Sequence, residues 1–383
     1  MPLRFLLPLL LIGPTSATPR VAPVAFGGVA RADTVADTTF YITNRTRKAG
    51  RTTRAAGDTL EFGYIVTRFI DHQGSALSDL LLGRVTAQRT DSVRLTHGEF
   101  VDRLRATDAR AAAHDDGAVL YVHGYATSFG RAMSQSAEIA HRGGFSGPFV
   151  VFAWPAHTAL ATWPTPRMLI SHAYRDDSVM AQKSGASFRA ALAVVREAVR
   201  PGALTVIGHS MGAQLVGEAL RAPSAEHDEL AKEPLHALAF FAADVNALWF
   251  RDSVAPAVAP LAARRVVYAS GSDRMLGLSR LVNHSPRLGQ MSSSRYLTDA
   301  GVEVVDVSQA QRASSSGWAI PLDMHHAMRL SGAALFDFFY GVVNGQSPTC
   351  RSATGLASRD TAGVWRLRKS PIPRAAGCVA SGD

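Results

Sequence analysis

Short apolar runs, each four to six residues long, recur through the middle of the chain, and most are rich in β-branched or aromatic residues. None of them alternates apolar with polar residues, which is the pattern of a strand buried on both of its faces. The six clearest runs are Ala118–Val122, Phe149–Trp154, Leu204–Ile207, Leu238–Phe241, Val266–Ala269 and Val302–Val305. Strands of this kind are typical of parallel sheets, in which helices cover both faces.

Segments with helical character lie between these apolar runs. They are Gly130–Arg142, Ser178–Arg200, Met211–Arg221 and His326–Val343. Two β-branched and aromatic segments, Thr39–Thr43 and Glu61–Thr67, come earlier and also read as strands. Strand and helix alternate over about 230 residues, which predicts an α/β fold with a mostly parallel central sheet and helices on both faces.

The pentapeptide Gly208-His209-Ser210-Met211-Gly212 joins one of the predicted strands to the helical segment that follows it. A G-x-S-x-G sequence in this setting is typical of a nucleophile elbow, a turn so tight that its flanking residues must be small. The turn would hold the serine hydroxyl at a helix N-terminus, where N–H groups favour negative charge. We therefore predict that Ser210 is a catalytic nucleophile.

A serine hydroxyl is a weak nucleophile and needs a base, usually a histidine that a carboxylate orients. In this kind of fold the acid and then the histidine follow the serine along the chain. His326, with His325 as the alternative, comes after the last predicted strand and is the predicted base. The other histidines after Ser210 are expected to be surface or core residues, namely His227, His236 and His284.

Two aspartates compete for the role of the acid. Asp273 and Asp244 each follow a predicted strand, at the carboxyl edge where parallel α/β sheets assemble their sites. Asp273 follows the later strand and is preferred, while Asp244 could instead be the N-cap of the next helical segment. Asp306, at the end of the last strand, is a weaker third candidate.

The oxyanion hole of such a site needs two N–H donors, one of them on the residue after the nucleophile. That residue is Met211, and Tyr125 in the segment Val122-His123-Gly124-Tyr125 is the predicted second donor. His123 precedes Ser210 in the chain and is expected to brace this loop rather than act as the base. Trp154 is a candidate for the wall of a substrate pocket.

With these motifs in place, the chain resembles the α/β-hydrolase superfamily, and within it a bacterial family of uncharacterised α/β-hydrolases similar to esterases and lipases. The matching segments are 40–45, 122–125, 152–155, 208–212, 243–245 and 268–274. In similar proteins the aspartate of the Tyr-Ala-Ser segment and a histidine near the last helix are the acid and base, which favours Asp273 and His326. This chain has His325-His326 where its relatives usually have Gly-His, so the choice within the pair stays open.

Lids in this fold often lie between the strands that end near Asp244 and begin near Arg264. Only about twenty residues separate these two positions, so we expect no large lid there.

The N-terminus has the order of a secretory signal peptide, with Arg4, a short apolar run to Ile12, and small residues at possible cleavage sites near Ala17 and Ala32. The apolar run is shorter than the roughly 20 residues that a membrane-spanning helix needs. We therefore predict an exported protein, periplasmic or extracellular, with a signal peptide and linker over residues 1–32.

The α/β-hydrolase domain is predicted over residues 33–345, followed by a basic C-terminal tail over residues 346–383. The tail holds both cysteines of the chain, Cys350 and Cys378. In an oxidising compartment, a lone pair at this spacing predicts a disulfide.

The net charge of +9 is carried almost entirely by arginine, because the chain has only four lysines. The arginines are scattered and no nucleic-acid-binding motif accompanies them, so no nucleic-acid partner is expected. Neither a cofactor nor a metal is expected. The sequence thus predicts a serine hydrolase that acts on small-molecule or lipid esters, with an amidase or peptidase, or a non-catalytic binding protein of the same fold, as alternatives.

Overall fold

The computed structural model describes residues 35–71, 85–156, 167–310 and 332–368. In these residues, one central sheet contains eleven strands in the spatial order β10-β11-β9-β8-β7-β6-β4-β5-β1-β2-β3. The strands are β1 Val35–Lys48, β2 Arg51–Asp71, β3 Val85–Leu95, β4 Ala118–Val122, β5 Phe149–Phe152, β6 Leu204–His209, β7 Leu235–Phe241, β8 Ala262–Ala269, β9 Glu303–Asp306, β10 Ala357–Arg359 and β11 Trp365–Leu367. Each of the eight apolar or β-branched segments singled out in the sequence coincides with one of them.

Parallel pairing runs without interruption from β1 through β5, β4, β6, β7, β8 and β9 to β11. Antiparallel pairing occurs at the margins, where β1 pairs with β2, β2 with β3, and β10 with β11. The sheet is therefore mostly parallel, as the sequence predicted. Because parallel strands end at the same edge, the loops after β4, β6, β7 and β8 meet at one side of the molecule.

Helices cover both faces of the sheet. The longer ones are α1 His97–Ala112, α2 Phe129–Arg142, α3 Arg167–Lys183, α4 Gly185–Ala198, α5 Gly212–Arg221, α6 Ala225–Lys232 and α7 Arg274–Asn283. Shorter ones follow at α8 Met291–Ser294, at α9 Gly332–Phe336, which continues helically through Asp337–Val343, and at α10 Cys350–Ala353. Side chains of α1, α4 and α5 belong to one hydrophobic cluster and those of α2 and α9 to a second. The prediction that helices cover both faces of the sheet is thus confirmed.

One predicted helix is divided. The segment Ser178–Arg200 forms the end of α3 and all of α4, with the break at Ser184. Ser184 is fully buried, and its hydroxyl accepts a hydrogen bond from Asn44 Nδ2 at 3.2 Å. Because the following residue is Gly185, which is a weak helix former, the chain can turn at this contact.

The region predicted as a tail continues the sheet as far as Leu367. β11 pairs in parallel with β9, and β10 pairs with β11. Arg351 in α10 is only 3% exposed, and it forms ion pairs with Asp337 at 2.6 Å and Glu303 at 2.8 Å. These contacts attach residues 346–368 to the domain predicted to end at Gly345, because a buried arginine requires carboxylates that the earlier domain supplies.

The connection from β7 to β8 is a set of short helical turns at Ala247–Trp249, Phe250–Val254, Ala255–Val258 and Ala259–Leu261. Phe250, Val254 and Val258 are buried in the core. This segment packs down on α5, so it forms no large lid. Among the described residues, no helix is long and apolar enough to cross a membrane.

Candidate active site

Ser210 sits in a sharp turn between β6 and α5. Its backbone has a φ of 54°, in the left-handed region that non-glycine residues rarely occupy. Backbone hydrogen bonds hold this conformation: Ser210 N–H donates to Phe241 O at 2.9 Å, and Ser210 O accepts from the N–H groups of Ala213 and Asp244, each at 3.1 Å. A strained residue fixed in this way is a common feature of functional sites.

The glycines of the pentapeptide are required by close contacts. A Cβ atom at Gly208 would lie 2.7 Å from Ala213 Cα, and one at Gly212 would lie 2.3 Å from Val122 O. Both distances are too short for any side chain, because the contacting atoms belong to the backbone and cannot move aside. The turn therefore has the steric requirement expected of a nucleophile elbow.

The loop after β4, residues 123–127, lies directly against the elbow and is called the oxyanion loop below. A Cβ atom at Gly124 would lie 2.7 Å from Ser210 Cβ, so only glycine lets this backbone approach the serine so closely. Tyr125, the predicted second N–H donor, follows Gly124 in this loop. The predicted first donor, Met211, is fully buried at the start of α5. The fold thus brings the two chain segments predicted to supply the oxyanion hole together beside Ser210.

His123 anchors the start of the oxyanion loop. Its ring is fully buried, its Nδ1–H donates to Gly124 O at 3.0 Å, and it stacks on the ring of Trp154 at a centroid distance of 5.3 Å. Burial, together with the nearby positive charge of Arg45, lowers the pKa of His123 to about 3. His123 is therefore neutral at physiological pH, in line with its expected role as a brace.

Trp154 packs beneath the same loop. It has no exposed surface, and its Nε1–H donates to His123 O at 2.8 Å. These contacts support the loop from the core side. Its predicted role as the wall of a substrate pocket stays a prediction.

The depressed pKa of His123 predicts that the protein loses stability in acid. The unfolded chain binds a proton at this histidine below about pH 6.5, whereas the folded protein does so only near pH 3, so the free energy of unfolding should fall as the pH drops through this interval. The slope should be on the order of 1 kcal/mol per pH unit. We expect His123→Asn, which keeps a donor for Gly124 O but cannot titrate, to reduce the loss of melting temperature between pH 7 and pH 4.5.

The control for this prediction is His114→Asn, since His114 is exposed. It should leave the acid dependence unchanged. Equal dependence in the wild type and His123→Asn would show that other groups are responsible.

The two candidate acids have different surroundings. Asp273 is 6% exposed and is the N-cap of α7, where its Oδ1 accepts the N–H of Leu276 at 2.9 Å. Asp244 is paired with Arg287 at 2.8 Å, with both side chains 7% exposed, and accepts a hydrogen bond from Ser279 Oγ at 2.6 Å. The helix that follows Asp244 is capped instead by Asn246, whose Oδ1 accepts the N–H groups of Leu248 at 2.9 Å and Trp249 at 3.2 Å.

Asp306, the third candidate, lies at the end of β9. It accepts the N–H of Ser308 at 2.9 Å and pairs with Arg366 of β11 at 3.1 Å. Its described contacts thus join the sheet to the two C-terminal strands.

The predicted bases, His325 and His326, lie outside the described residues, as does Cys378. Two of the other histidines after Ser210 have contacts away from the elbow, and the third, His284, is the C-cap of α7. His236 Nε2 bonds Val342 O at 2.8 Å at the opposite edge of the sheet, His227 Nε2 bonds Ala257 O at 3.3 Å, and His284 ends α7 with a φ of 49°. The contacts of His236 and His227 are typical of structural residues rather than of a catalytic base.

Further polar residues lie close to these groups in the structure. Arg287 pairs with Asp244, and Tyr174 lies near the same carboxylate; burial, with a further contribution from the Asp244 charge, raises the pKa of the tyrosine. Asp177 and Arg45 lie at the oxyanion loop. Of these, only Arg45 carried a sequence signal, as part of the Thr43-Asn44-Arg45 segment. In the described part of the chain, no group of histidine, cysteine, aspartate or glutamate side chains could hold a metal ion.

Comparison with known proteins agrees with this geometry. Residues 105–319, more than half of the chain, match the family described as alpha/beta hydrolase of unknown function, DUF900. No curated protein is a significant match. Among solved structures, the chain is similar to a fungal esterase from Rhizomucor miehei, at 10% identity and a TM-score of 0.34 over 82% of this chain and 86% of that one. It is also similar to a hyperthermophilic esterase from the archaeon Pyrobaculum calidifontis, at 14% identity and a TM-score of 0.30 over 73% of this chain and 82% of that one.

Similarities of this size between structures carry no argument about activity. The family match, by contrast, covers the oxyanion loop, the Ser210 elbow and both candidate acids. The protein therefore belongs to the α/β-hydrolase family of unknown function, DUF900.

Proposed function

We propose that this protein is a serine hydrolase that cleaves carboxylic esters or thioesters through an acyl-enzyme on Ser210. The observation that carries the proposal is the elbow itself, a serine held at a φ of 54° with the backbone of Gly124 packed against its Cβ. A serine in this conformation is strained, and strained residues are common at functional sites. The contact with Gly124 brings the oxyanion loop, which carries the predicted second N–H donor, next to the serine.

In the proposed reaction, His326, or His325 as the alternative, takes the Ser210 proton as Oγ attacks the carbonyl carbon. The electron pair of the carbonyl moves to its oxygen, and the N–H groups of Tyr125 and Met211 stabilise the resulting oxyanion. Collapse of this intermediate breaks the bond to the leaving alcohol or thiol, which receives the proton from the imidazolium. Water then attacks the acyl-enzyme by the same steps, releasing the acid and restoring Ser210.

Asp273 is the proposed acid, and Asp244 is the alternate. An acid in a triad must orient the imidazole and stabilise the imidazolium. The Asp244 carboxylate already compensates the buried charge of Arg287 and accepts from Ser279. Asp273 follows the next strand along the sheet, at the same carboxyl edge, and its Oδ1 caps α7 by accepting the N–H of Leu276.

The proposed substrates are small-molecule or lipid esters, with Trp154 near the acyl-binding side of the site. We also propose that the protein is exported and that Cys350 pairs with Cys378. Cys350 is 4% exposed in α10, and a disulfide there would attach the end of the chain to the edge of the sheet.

Labelling with a fluorophosphonate probe tests the proposed function. The probe forms a covalent bond only with an activated serine, so we expect a single modified residue, Ser210, when the labelled protein is mapped by mass spectrometry. The labelling rate should fall as the pH drops through a value between about 5.5 and 7.5, because the imidazole must be neutral to accept the proton. Absence of labelling in folded protein would refute a serine hydrolase.

A further inference from the structure

The segment Thr43-Asn44-Arg45 at the end of β1 has no role in the proposed triad, yet all three side chains are buried. Thr43 Oγ1 donates to Ala153 O at 2.6 Å, and Asn44 Nδ2 donates to Ser184 Oγ at 3.2 Å. The two contacts reach the loop after β5 and the break between α3 and α4. Three consecutive buried polar residues are unusual in a strand, and the side chains of all three form hydrogen bonds with segments far away in the sequence.

Arg45 binds the oxyanion loop directly. Its guanidinium NH2 group donates to Thr127 O at 2.9 Å and to Trp154 O at 2.6 Å, and its NH1 group donates to Thr53 O at 3.3 Å. Arg45 is 4% exposed. One planar guanidinium thus joins the oxyanion loop, the loop after β5 and the hairpin between β1 and β2, with a geometry that a single ammonium group could not reproduce.

Asp177 in α3 holds the oxyanion loop from another direction. It is fully buried, and its Oδ2 accepts the N–H of Ala126 at 3.1 Å. Ala126 has a φ of 52°, so the loop is strained at this residue and needs outside contacts to keep its conformation. The charge of Asp177 also acts on Arg45: burial lowers the pKa of Arg45 to about 10, and Asp177 opposes this shift. Arg45 therefore stays charged at neutral pH.

The position of this loop matters for catalysis because Gly124, within the loop, packs against Ser210. Donors of an oxyanion hole act only when they lie at hydrogen-bond distance from the developing charge, and a displacement of about 1 Å can lower a rate about 10²-fold. We propose that Arg45 and Asp177 are positioning residues that fix the oxyanion loop against Ser210. This proposal rests on the hydrolase function proposed above.

The test compares Arg45→Met, Arg45→Lys and Asp177→Asn with the wild type, using a p-nitrophenyl ester as substrate. Fluorophosphonate titration of active sites gives kcat for each correctly folded molecule. We expect Arg45→Met to lower kcat about 10²-fold with KM within threefold, and to weaken inhibition by a trifluoromethyl ketone by a similar factor. The ketone is the informative probe, because its adduct with Ser210 carries an oxyanion. Arg45→Lys should retain a higher kcat than Arg45→Met, since lysine restores the positive charge but not the several N–H donors of the planar guanidinium.

Arg47→Met is the matched control, because Arg47 lies two residues further along β1 and pairs with Glu61 outside the oxyanion loop. It should leave kcat and ketone affinity within threefold of the wild type. A purely structural role for Arg45 would reduce the titrated fraction of active enzyme and leave kcat per site and ketone affinity unchanged, which would overturn the proposal.

If Arg45→Met does not fold, the proposal is tested with Asp177→Asn. This variant is expected to fold, because asparagine has the same shape as aspartate and keeps an acceptor for the N–H of Ala126. We expect a loss of about tenfold in kcat and in ketone affinity, because the neutral amide accepts the Ala126 N–H more weakly than the carboxylate does and no longer compensates the charge of Arg45. Values within threefold of the wild type would overturn the proposal. Failure of the proposed hydrolase function can be distinguished from failure of the positioning proposal alone. If the protein is not a hydrolase, the wild type itself will not be labelled at Ser210, and both proposals will be refuted.

Discussion

Replacing Ser210 by alanine is expected to lower kcat/KM for ester hydrolysis by about 10⁴-fold or more, because the covalent route through the acyl-enzyme is lost. Residual hydrolysis would come from the oxyanion hole and from binding alone. Alanine keeps the Cβ atom, so the strained backbone with its φ of 54° remains. The free energy of unfolding should therefore change by less than about 1 kcal/mol.

Ser136→Ala is the control for a buried serine, since Ser136 is fully buried in α2, a helix whose apolar side chains belong to the second hydrophobic cluster. It should retain full activity. A second inactive variant, Ser210→Gly, should be more stable than the wild type by roughly 1 kcal/mol, because glycine adopts positive φ without strain. Activity of Ser210→Ala within tenfold of the wild type, in folded protein, would refute Ser210 as the nucleophile.

The features predicted from the sequence are those that short segments determine. An apolar run such as Leu204–Ile207 favours a strand buried on both faces, and the pentapeptide after it, between a strand and a helix, favours a tight turn. The elbow and its two glycines could therefore be predicted residue by residue. The mostly parallel order of strands also follows, because strand and helix alternate along the chain.

Contacts between residues far apart in the sequence could not be predicted. Arg45 contacts Thr127 from 82 positions away, and Asp244 pairs with Arg287 from 43. In a chain with many scattered arginines, no spacing identifies which one is buried against a carbonyl or a carboxylate. The pairing of β11 with β9 was missed for a similar reason, since three residues from Trp365 to Leu367 carry too weak a pattern to be distinguished from a loop.

The two candidate acids illustrate the same limit. Asp244 and Asp273 each follow a buried strand by a few residues, so the local sequence alone does not distinguish them. Their hydrogen-bond and ion-pair partners in the structure differ. Asp244 contacts Arg287 and Ser279, whereas Asp273 accepts a backbone N–H from the first turn of α7. The capping role considered for Asp244 is in fact filled by Asn246, because a cap depends on the exact residue at which the next helix begins.

This difference in partners separates the two aspartates experimentally. Asp273→Asn should lower kcat about 10³- to 10⁴-fold, because an amide cannot stabilise the imidazolium and favours the wrong tautomer of the base. Its effect on stability should be small, since the asparagine oxygen can still accept the N–H of Leu276. The measurements are kcat per fluorophosphonate-titrated site and the midpoint of urea unfolding.

Asp244→Asn should show the opposite pattern. Removing the carboxylate leaves the Arg287 charge buried without compensation, and breaking one side of such a pair destabilises a protein by about 3–5 kcal/mol. The double variant Asp244→Asn, Arg287→Met should regain much of this loss, because it removes the uncompensated charge as well. Activity per titrated site should stay within about tenfold of the wild type in both. If Asp244→Asn instead abolishes turnover while Asp273→Asn retains it, the triad acid is Asp244, and the pairing with Arg287 must be rearranged when the base is protonated.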